Sequence, residues 1–379
     1  MDKTEDLKAR AWIARWMPRT RRALRALRSL RGQRWAMSVH LEPKMVLWIK
    51  SVLEHGAAVF LTSCNPDTTR DEVVSELTAA GAEAVARRGM TPGAWKASFK
   101  KALDWGPTHL IEMGGDLTAA WHRRPGERPR VRAAIEATGS GISRLGRLSL
   151  RYPVLNLDAV PIKAGLHNRH MVGITALHAF CERTRLTLHE KTALVIGYGP
   201  VGRGVCEAAR AYGGSVLVCD RDPARALEAR YRGWETVGSA EGLRRADLVI
   251  TATGVPRVVT LKNAGSLKDG AFLMNVGHGS DEIDPALRAH PKRRKVAPFV
   301  EAIALGRKTI HLFAGGSMAN LVAGHGDSIN AFDVPAAVLV SAIGFAAGRH
   351  GLAPGLHALP ERVWKAVASS TRGAAARSR

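Results

Sequence analysis

Residues 193–204 read ALVIGYGPVGRG. Three glycines, Gly197, Gly199 and Gly202, follow a short apolar run and precede a stretch with helical periodicity. That spacing suits a turn against which a pyrophosphate can lie. Gly197 permits the tight bend, Gly199 lets the backbone approach the phosphates, and Gly202 lets the helix pack closely on the strand. The N–H groups at the helix N-terminus then face the phosphates with the positive end of the helix dipole. At the end of the next apolar run stands Asp220. A carboxylate there can accept from both ribose hydroxyls and repels a 2′-phosphate, so the expected cofactor is NAD rather than NADP. An ordinary dehydrogenase turns over its nicotinamide with every substrate; the second motif, NVGH at residues 275–278, bears on whether this chain does so.

The elements that must position these residues are strands and helices in alternation. AAVFLTS (57–63), THLIEM (108–113) and PVLNLD (153–158) have the length and apolar content of buried parallel strands, with amphipathic helical stretches between them. After AGLHNRHMVGITALHAFCERT, whose periodicity predicts a helix, come TALVIG, SVLVCD, DLVITAT, FLMNVG and TIHLFAG. The expected fold class is therefore α/β, with two α/β domains. The second is a Rossmann-type doubly wound parallel sheet, and the active site lies in the cleft between the two. We place the substrate-binding domain at residues 1–165 with a return segment at 328–367, the NAD-binding domain at 166–327, and a disordered basic tail at 368–379.

The chain of 379 residues is 46% hydrophobic, enough for sizeable cores. No run of eighteen apolar residues and no secretion signal is present, so a cytoplasmic protein without membrane association is expected. Cys64, Cys181, Cys206 and Cys219 show no CxxC spacing and are expected to be reduced core thiols; no metal site is expected. The net charge of +23 is densest in RWMPRTRRALRALRSLRGQRW (15–35). Its apolar residues recur at helical spacing without aromatic interleaving, so a solvated basic helix is expected rather than a nucleic-acid interface. KRRK (292–295) follows a proline and is expected in a solvated loop.

GYGPVGRG, NVGHGSDEID and KAGLHN together resemble the S-adenosylhomocysteine hydrolase family, and the resemblance extends from MPRTRRALR through HLEPKMVLWIKSVLEHGAAVFLTSCN and GGDLT to GLHALPERV. It implies a tightly bound NAD used as an internal reagent. The 3′-hydroxyl of a nucleoside is oxidised, the acidified C4′ proton is removed, the 5′ substituent is eliminated, water adds, and the ketone is reduced again. The resemblance places His40 and Asp116 at the proton transfers on the 5′ side, Lys163 beside the 3′-hydroxyl, and His278 with Asn168 at the nicotinamide and sugar. It further implies that Asn65 and His325 lie on substrate positions. Thr138, Ser140, Thr253, Gly254 and Asn320 are assigned to the cofactor.

The chain departs from the family around the sugar and base. In IEATGSG, Ala137 occupies the place of the family's catalytic glutamate, with Glu136 beside it. His167 replaces the aspartate that accompanies the lysine, Val172 replaces a cysteine, and Asp158 replaces an asparagine near the nucleoside. Glu42 and Lys44 occupy positions that in the family contact adenine; Glu42, Asp158 and His167 are accordingly assigned to the substrate. The chain ends soon after LPERVWKAV, without the family's C-terminal extension, so a homo-oligomer is expected as a dimer rather than a tetramer.

These departures suit a relative acting on another nucleoside, or one that stops at the alkene and works as a nucleoside 4′,5′-dehydratase. The alternatives are S-adenosyl-L-homocysteine hydrolysis to adenosine and homocysteine, and a regulatory NAD-binding protein without catalysis.

Overall fold

The computed structural model describes residues 3–124, 130–279, 281–348 and 351–369. It divides into two units, residues 1–163 with 329–379, and residues 164–328. The apolar runs form strands because each is buried on both faces, a demand that parallel sheets satisfy with near-continuous Val, Ile, Leu and Ala.

In the first unit, β1 (Arg34–Val39), β2 (Ala58–Ser63), β3 (Glu83–Ala84), β4 (His109–Glu112), β5 (Ala133–Glu136), β6 (Pro153–Asn156) and β15 (Gly355–Ala358) form one sheet in the order β15-β6-β5-β4-β1-β2-β3. All its pairings are parallel. Their register aligns the strand ends: Val39 opposes Ser63, Ser38 opposes Glu112, Glu112 opposes Glu136, and Glu136 opposes Asn156. Every loop that leaves a C-terminal strand end therefore emerges on the same sheet edge. The chain order reverses between β1 and β4, the place where open α/β sheets bind ligands.

The second unit has β7 (Thr192–Ile196), β8 (Ser215–Cys219), β9 (Glu235–Thr236), β10 (Leu248–Thr251), β11 (Phe272–Asn275), β12 (Arg293–Ala297), β13 (Val300–Leu305) and β14 (Lys308–Phe313), in the order β12-β13-β14-β11-β10-β7-β8-β9. From β14 to β9 the pairings are parallel, while β12 and β13 add antiparallel edge strands. Here the order reverses between β7 and β10.

Some expectations need correction. The basic stretch at 15–35 is not one helix. A helix runs from Pro18 to Arg25, Gly32 turns the chain at φ +75°, and Arg34 already opens β1. Arg21, Arg22 and Arg25 are exposed as expected, but Thr20 and Leu24 are buried. The first N–H groups of that helix are satisfied by the buried carboxylate of Asp333, which accepts from Arg19 N at 2.9 Å and Thr20 N at 2.8 Å. KRRK lies not in a loop alone, since Arg293–Ala297 is an edge strand; exposed cations on an edge deter pairing with another chain. Ala368 and Ser369, placed in the tail, close a helix that begins at Glu361, and the rest of the tail (370–379) lies outside the described residues. The segment after Lys163 is a π-helical turn, Lys163–Asn168, followed by a separate helix, Val172–Thr184. Among the described residues one helix, Ile329–Ala347, is long and apolar enough to cross a bilayer. It carries buried Asp333 and packs Ala337, Val338, Val340 and Ile343 into the core of the first unit, as a core helix does.

Candidate active site

The loops after β1 and β2 place His40 and Asn65. His40 is buried, and its Nδ1 lies 2.7 Å from Thr68 Oγ1. The Thr68 hydroxyl itself donates to the Asn65 carbonyl at 2.8 Å, so its proton is committed. His40 Nδ1 must then carry the hydrogen, which leaves the lone pair on Nε2. Asn65 is occupied in shaping its loop, its Oδ1 accepting from Asp67 N at 3.0 Å. Glu42 does not join His40 or Asn65; its carboxylate takes the Lys44 ammonium at 2.8 Å, and both side chains are buried.

Asp116 follows β4 in a turn made by Gly114 and Gly115, with φ +116° and +68°. A Cβ on Gly115 would lie 2.9 Å from Leu145 Cγ, so glycine is required there for space as well as backbone angle. The Asp116 carboxylate pairs with Arg144 Nη1, which also donates to the Gly114 carbonyl at 3.2 Å. Glu136 does not replace the carboxylate missing at Ala137. It is fully buried and accepts from Gly115 N at 2.8 Å, Thr138 N at 2.6 Å and Thr138 Oγ1 at 2.7 Å. Glu112, opposite it on β4, accepts from Leu117 N at 2.7 Å and Thr118 N at 3.1 Å. Burial raises both acids, Glu112 to about 7 with Asp116 adding, and Glu136 to about 8 with Glu112 adding. Burial, aided by the charges of Asp116 and Glu136, also pushes the Cys64 thiol well up, which keeps it protonated. The four cysteines are free thiols, three of them buried.

Lys163, which closes the first unit, is buried, and its Nζ donates to Asp158 Oδ1 at 2.9 Å. The lysine thus has a carboxylate after all, from the position where an asparagine was expected. In the second unit His167 has a carboxylate of its own: its Nε2 lies 2.7 Å from Asp327 Oδ2. The other oxygen of Asp327 accepts from Thr175 Oγ1 at 3.3 Å and from Asn320 Nδ2 at 3.4 Å. His167, Asn320 and Asp327 therefore form one cluster, and Asn168 joins it through its Oδ1, 3.3 Å from His167 Nδ1.

The glycine turn after β7 has the form a dinucleotide needs. Gly197 sits at φ +100°, and a Cβ there would lie 2.6 Å from the Ala252 carbonyl. A Cβ on Gly202 would lie 1.8 Å from the Gly197 carbonyl. At Gly199, by contrast, the nearest atom to a Cβ is Arg225 Nη1 at 3.7 Å, so the protein itself does not require glycine. A ligand lying against the backbone would supply such a requirement. Gly199 caps the helix Pro200–Ala211, and Asp220 stands just beyond β8 with Oδ2 accepting from Tyr198 N at 2.6 Å. The Thr253–Gly254 turn after β10 is gripped by buried Glu282, which accepts from Thr253 N at 2.9 Å, Thr253 Oγ1 at 2.7 Å and Gly254 N at 2.7 Å. Asn275 shapes the NVGHG loop by accepting from Gly277 N at 2.9 Å and donating to the Gly279 carbonyl at 2.9 Å, which holds half-buried His278. His325 is exposed, while Thr138 and Ser140 face each other at 3.3 Å in the first unit.

Sequence reasoning missed Arg144, Asp327, Glu112, Glu282 and Thr68. Glu282 carried a local signal, as an acid within the NVGHGSDEID motif, and Glu112 lies five and six residues from the amides it holds; Arg144, Asp327 and Thr68 are defined by partners distant in sequence.

Residues 15–186 match the family model described as S-adenosyl-L-homocysteine hydrolase, and residues 175–326 match the model of its NAD binding domain. Similar proteins include S-inosyl-L-homocysteine hydrolase of Methanopyrus kandleri, 32% identical over 90% of this chain and 83% of the relative. Adenosylhomocysteinase of Archaeoglobus fulgidus is 32% identical over 85% and 82%, and that of Thermotoga maritima 31% identical over 94% and 91%.

Proposed function

Because the chain belongs to the S-adenosyl-L-homocysteine hydrolase family, we propose that it is an NAD-containing hydrolase that cleaves the thioether of an S-nucleosidyl-L-homocysteine into a nucleoside and homocysteine. NAD is its cofactor, and when bound it supplies the acceptor and later the donor of the sugar's 3′ hydride. Lys163 sits beside the 3′-hydroxyl and eases loss of its proton, with Asp158 holding the ammonium in place. His40 and Asp116 move protons at C4′ and at the departing sulfur; His40 presents Nε2 because Thr68 fixes its other nitrogen. His278, Asn168, Thr253 and Gly254 belong to the cofactor side. The net change is addition of water across a carbon–sulfur bond, with no net oxidation.

The observation that carries this reading is the Lys163–Asp158 pair. It supports sugar oxidation despite the loss of the carboxylate at position 167. The similarity to adenosylhomocysteinases and S-inosyl-L-homocysteine hydrolases supports hydrolysis over dehydration. One observation favours the dehydratase as a second reading: Ala137 leaves the expected acid absent and the Glu136 carboxylate is occupied by backbone amides.

The test is to incubate the NAD-loaded protein with S-adenosyl- and S-inosyl-L-homocysteine and a thiol reagent. Homocysteine release is expected. Its absence, together with a product one water lighter than a supplied nucleoside, would establish the dehydratase instead. Lys163→Ala should abolish the transient NADH absorbance while NAD stays bound; activity that survives this change sinks the sugar-oxidation assignment. If no nucleoside ever elicits that absorbance, the non-catalytic alternative stands.

A further inference from the structure

We propose that Glu112 and Glu136 are positioning residues that clamp the turn carrying Asp116 from its two sides and so fix where the Asp116 carboxylate points. The inference rests on the function proposed above and adds two residues to its machinery.

The geometry is specific. On the N-terminal side of Asp116, Glu136 takes the N–H of Gly114 at 3.1 Å and of Gly115 at 2.8 Å. On the C-terminal side, Glu112 takes the N–H of Leu117 at 2.7 Å and of Thr118 at 3.1 Å. The Thr118 hydroxyl also donates to Glu112. The two acids are register partners on adjacent strands, so the clamp is built into the sheet rather than into a loop. Both are fully buried. Two adjacent buried carboxylates are a costly way to satisfy four amides that a helix N-terminus could leave to water. A carboxyl side chain brings two oxygens to one point, so each acid meets both N–H groups on its side of the turn at once.

Glu136 also reaches the second partner of Asp116. Its contacts with Thr138 N and Oγ1 fix the residue that caps the helix Gly139–Leu145, and that helix carries Arg144. The Arg144 guanidinium closes on Asp116. One buried acid thereby sets both halves of the Asp116–Arg144 pair. The packing has been cleared for it: a Cβ on Gly141 would lie 2.3 Å from the Glu136 carboxyl carbon.

The test uses the NAD-loaded full chain. Glu136→Gln replaces an accepting oxygen by an NH2 that faces an amide N–H, so it releases one side of the turn while preserving volume. Homocysteine release is expected to fall roughly 10- to 100-fold in kcat, the scale of a small misplacement of a reacting group, with KM changed less and the NADH transient retained. In the Asp116→Asn background the same substitution should cost nothing further, because Glu136 acts through Asp116. Fully additive losses overturn the proposal. Thr118→Val, which removes only one hydroxyl from Glu112, provides a milder variant should Glu136→Gln fold poorly, and the same non-additivity with Asp116→Asn is expected. Hydrogen exchange gives a readout independent of activity: amides at 114–118 should exchange faster in either variant while the second unit keeps its protection. Unchanged exchange there overturns the clamp. Failure of the wild-type protein to release thiol from either substrate overturns the functional reading alone, and the exchange result then decides the clamp.

Discussion

The Lys163 ammonium lies 2.9 Å from the carboxylate of Asp158, five residues before it in the chain. Two substitutions that separately looked damaging thus compensate: Asp158 balances the lysine, and His167 is matched by Asp327. Asp158→Asn should therefore slow the NADH transient by roughly 10-fold or more, because a mostly buried cation loses its counter-charge and its fixed direction. Removing one partner of such a pair should also cost about 1–3 kcal/mol of stability, discounted for the partial exposure of Asp158. Stopped-flow absorbance and a denaturant titration check both. An unchanged transient means that Lys163 has no need of Asp158.

The glycine turn separates structure from ligand. Gly202→Ala would drive a Cβ to 1.8 Å from the Gly197 carbonyl, so the strand and helix must part, at a cost of about 1–3 kcal/mol or more. Gly199→Ala meets nothing closer than 3.7 Å. It should fold with wild-type Tm in the absence of NAD and yet bind NAD at least 10-fold more weakly, since the methyl occupies the approach to the pyrophosphate. Equal NAD affinity in Gly199→Ala would place the dinucleotide elsewhere.

Glu282 grips the Thr253–Gly254 turn through three hydrogen bonds. Glu282→Gln replaces one of its acceptors by a donor pointed at an N–H, which unsettles the turn without opening a cavity. The expected outcome is a roughly 10-fold loss of NAD affinity, by titration calorimetry, with kcat at saturating NAD little changed. A kcat collapse with normal NAD affinity would assign Glu282 to the chemistry instead.

The legible parts of the fold were the strands with long apolar runs, and physical reasons account for the others. β1 was hidden because Arg34 and the arginines before it made the segment look solvated. In the fold the Arg34 guanidinium stacks 3.7 Å over Trp105 and donates to its carbonyl, which lets Trp35 go fully inside. β5 is AAIE, half alanine with little strand preference of its own, and it ends in an acid that the sheet buries. In the candidate site, glycine spacing carried real information because sterics tie it to one turn. The pairings did not, since charge partners obey distance and not sequence: Asp327 lies 160 residues beyond His167, and Arg144 reaches Asp116 from another helix.

The Glu112–Glu136 pair makes stability depend on pH. Both acids are raised from an ordinary 4.5, to about 7 and about 8, first by burial and then by neighbouring negative charge, with Asp116 facing Glu112 and Glu112 facing Glu136. Between 4.5 and those values the folded chain holds more protons than the unfolded one. Stability should therefore be greatest below 4.5 as far as these groups are concerned, and fall as pH rises through about 7 and about 8, by up to about 1.4 kcal/mol per pH unit for each group. Glu136→Gln removes one titrating site and the repulsion on the other, so its stability curve should be flatter, whatever its offset. Urea midpoints measured across this range for both proteins provide the comparison. A wild-type midpoint that rises towards alkaline pH would mean that the amide and hydroxyl donors around each carboxylate outweigh burial and hold the pair ionised.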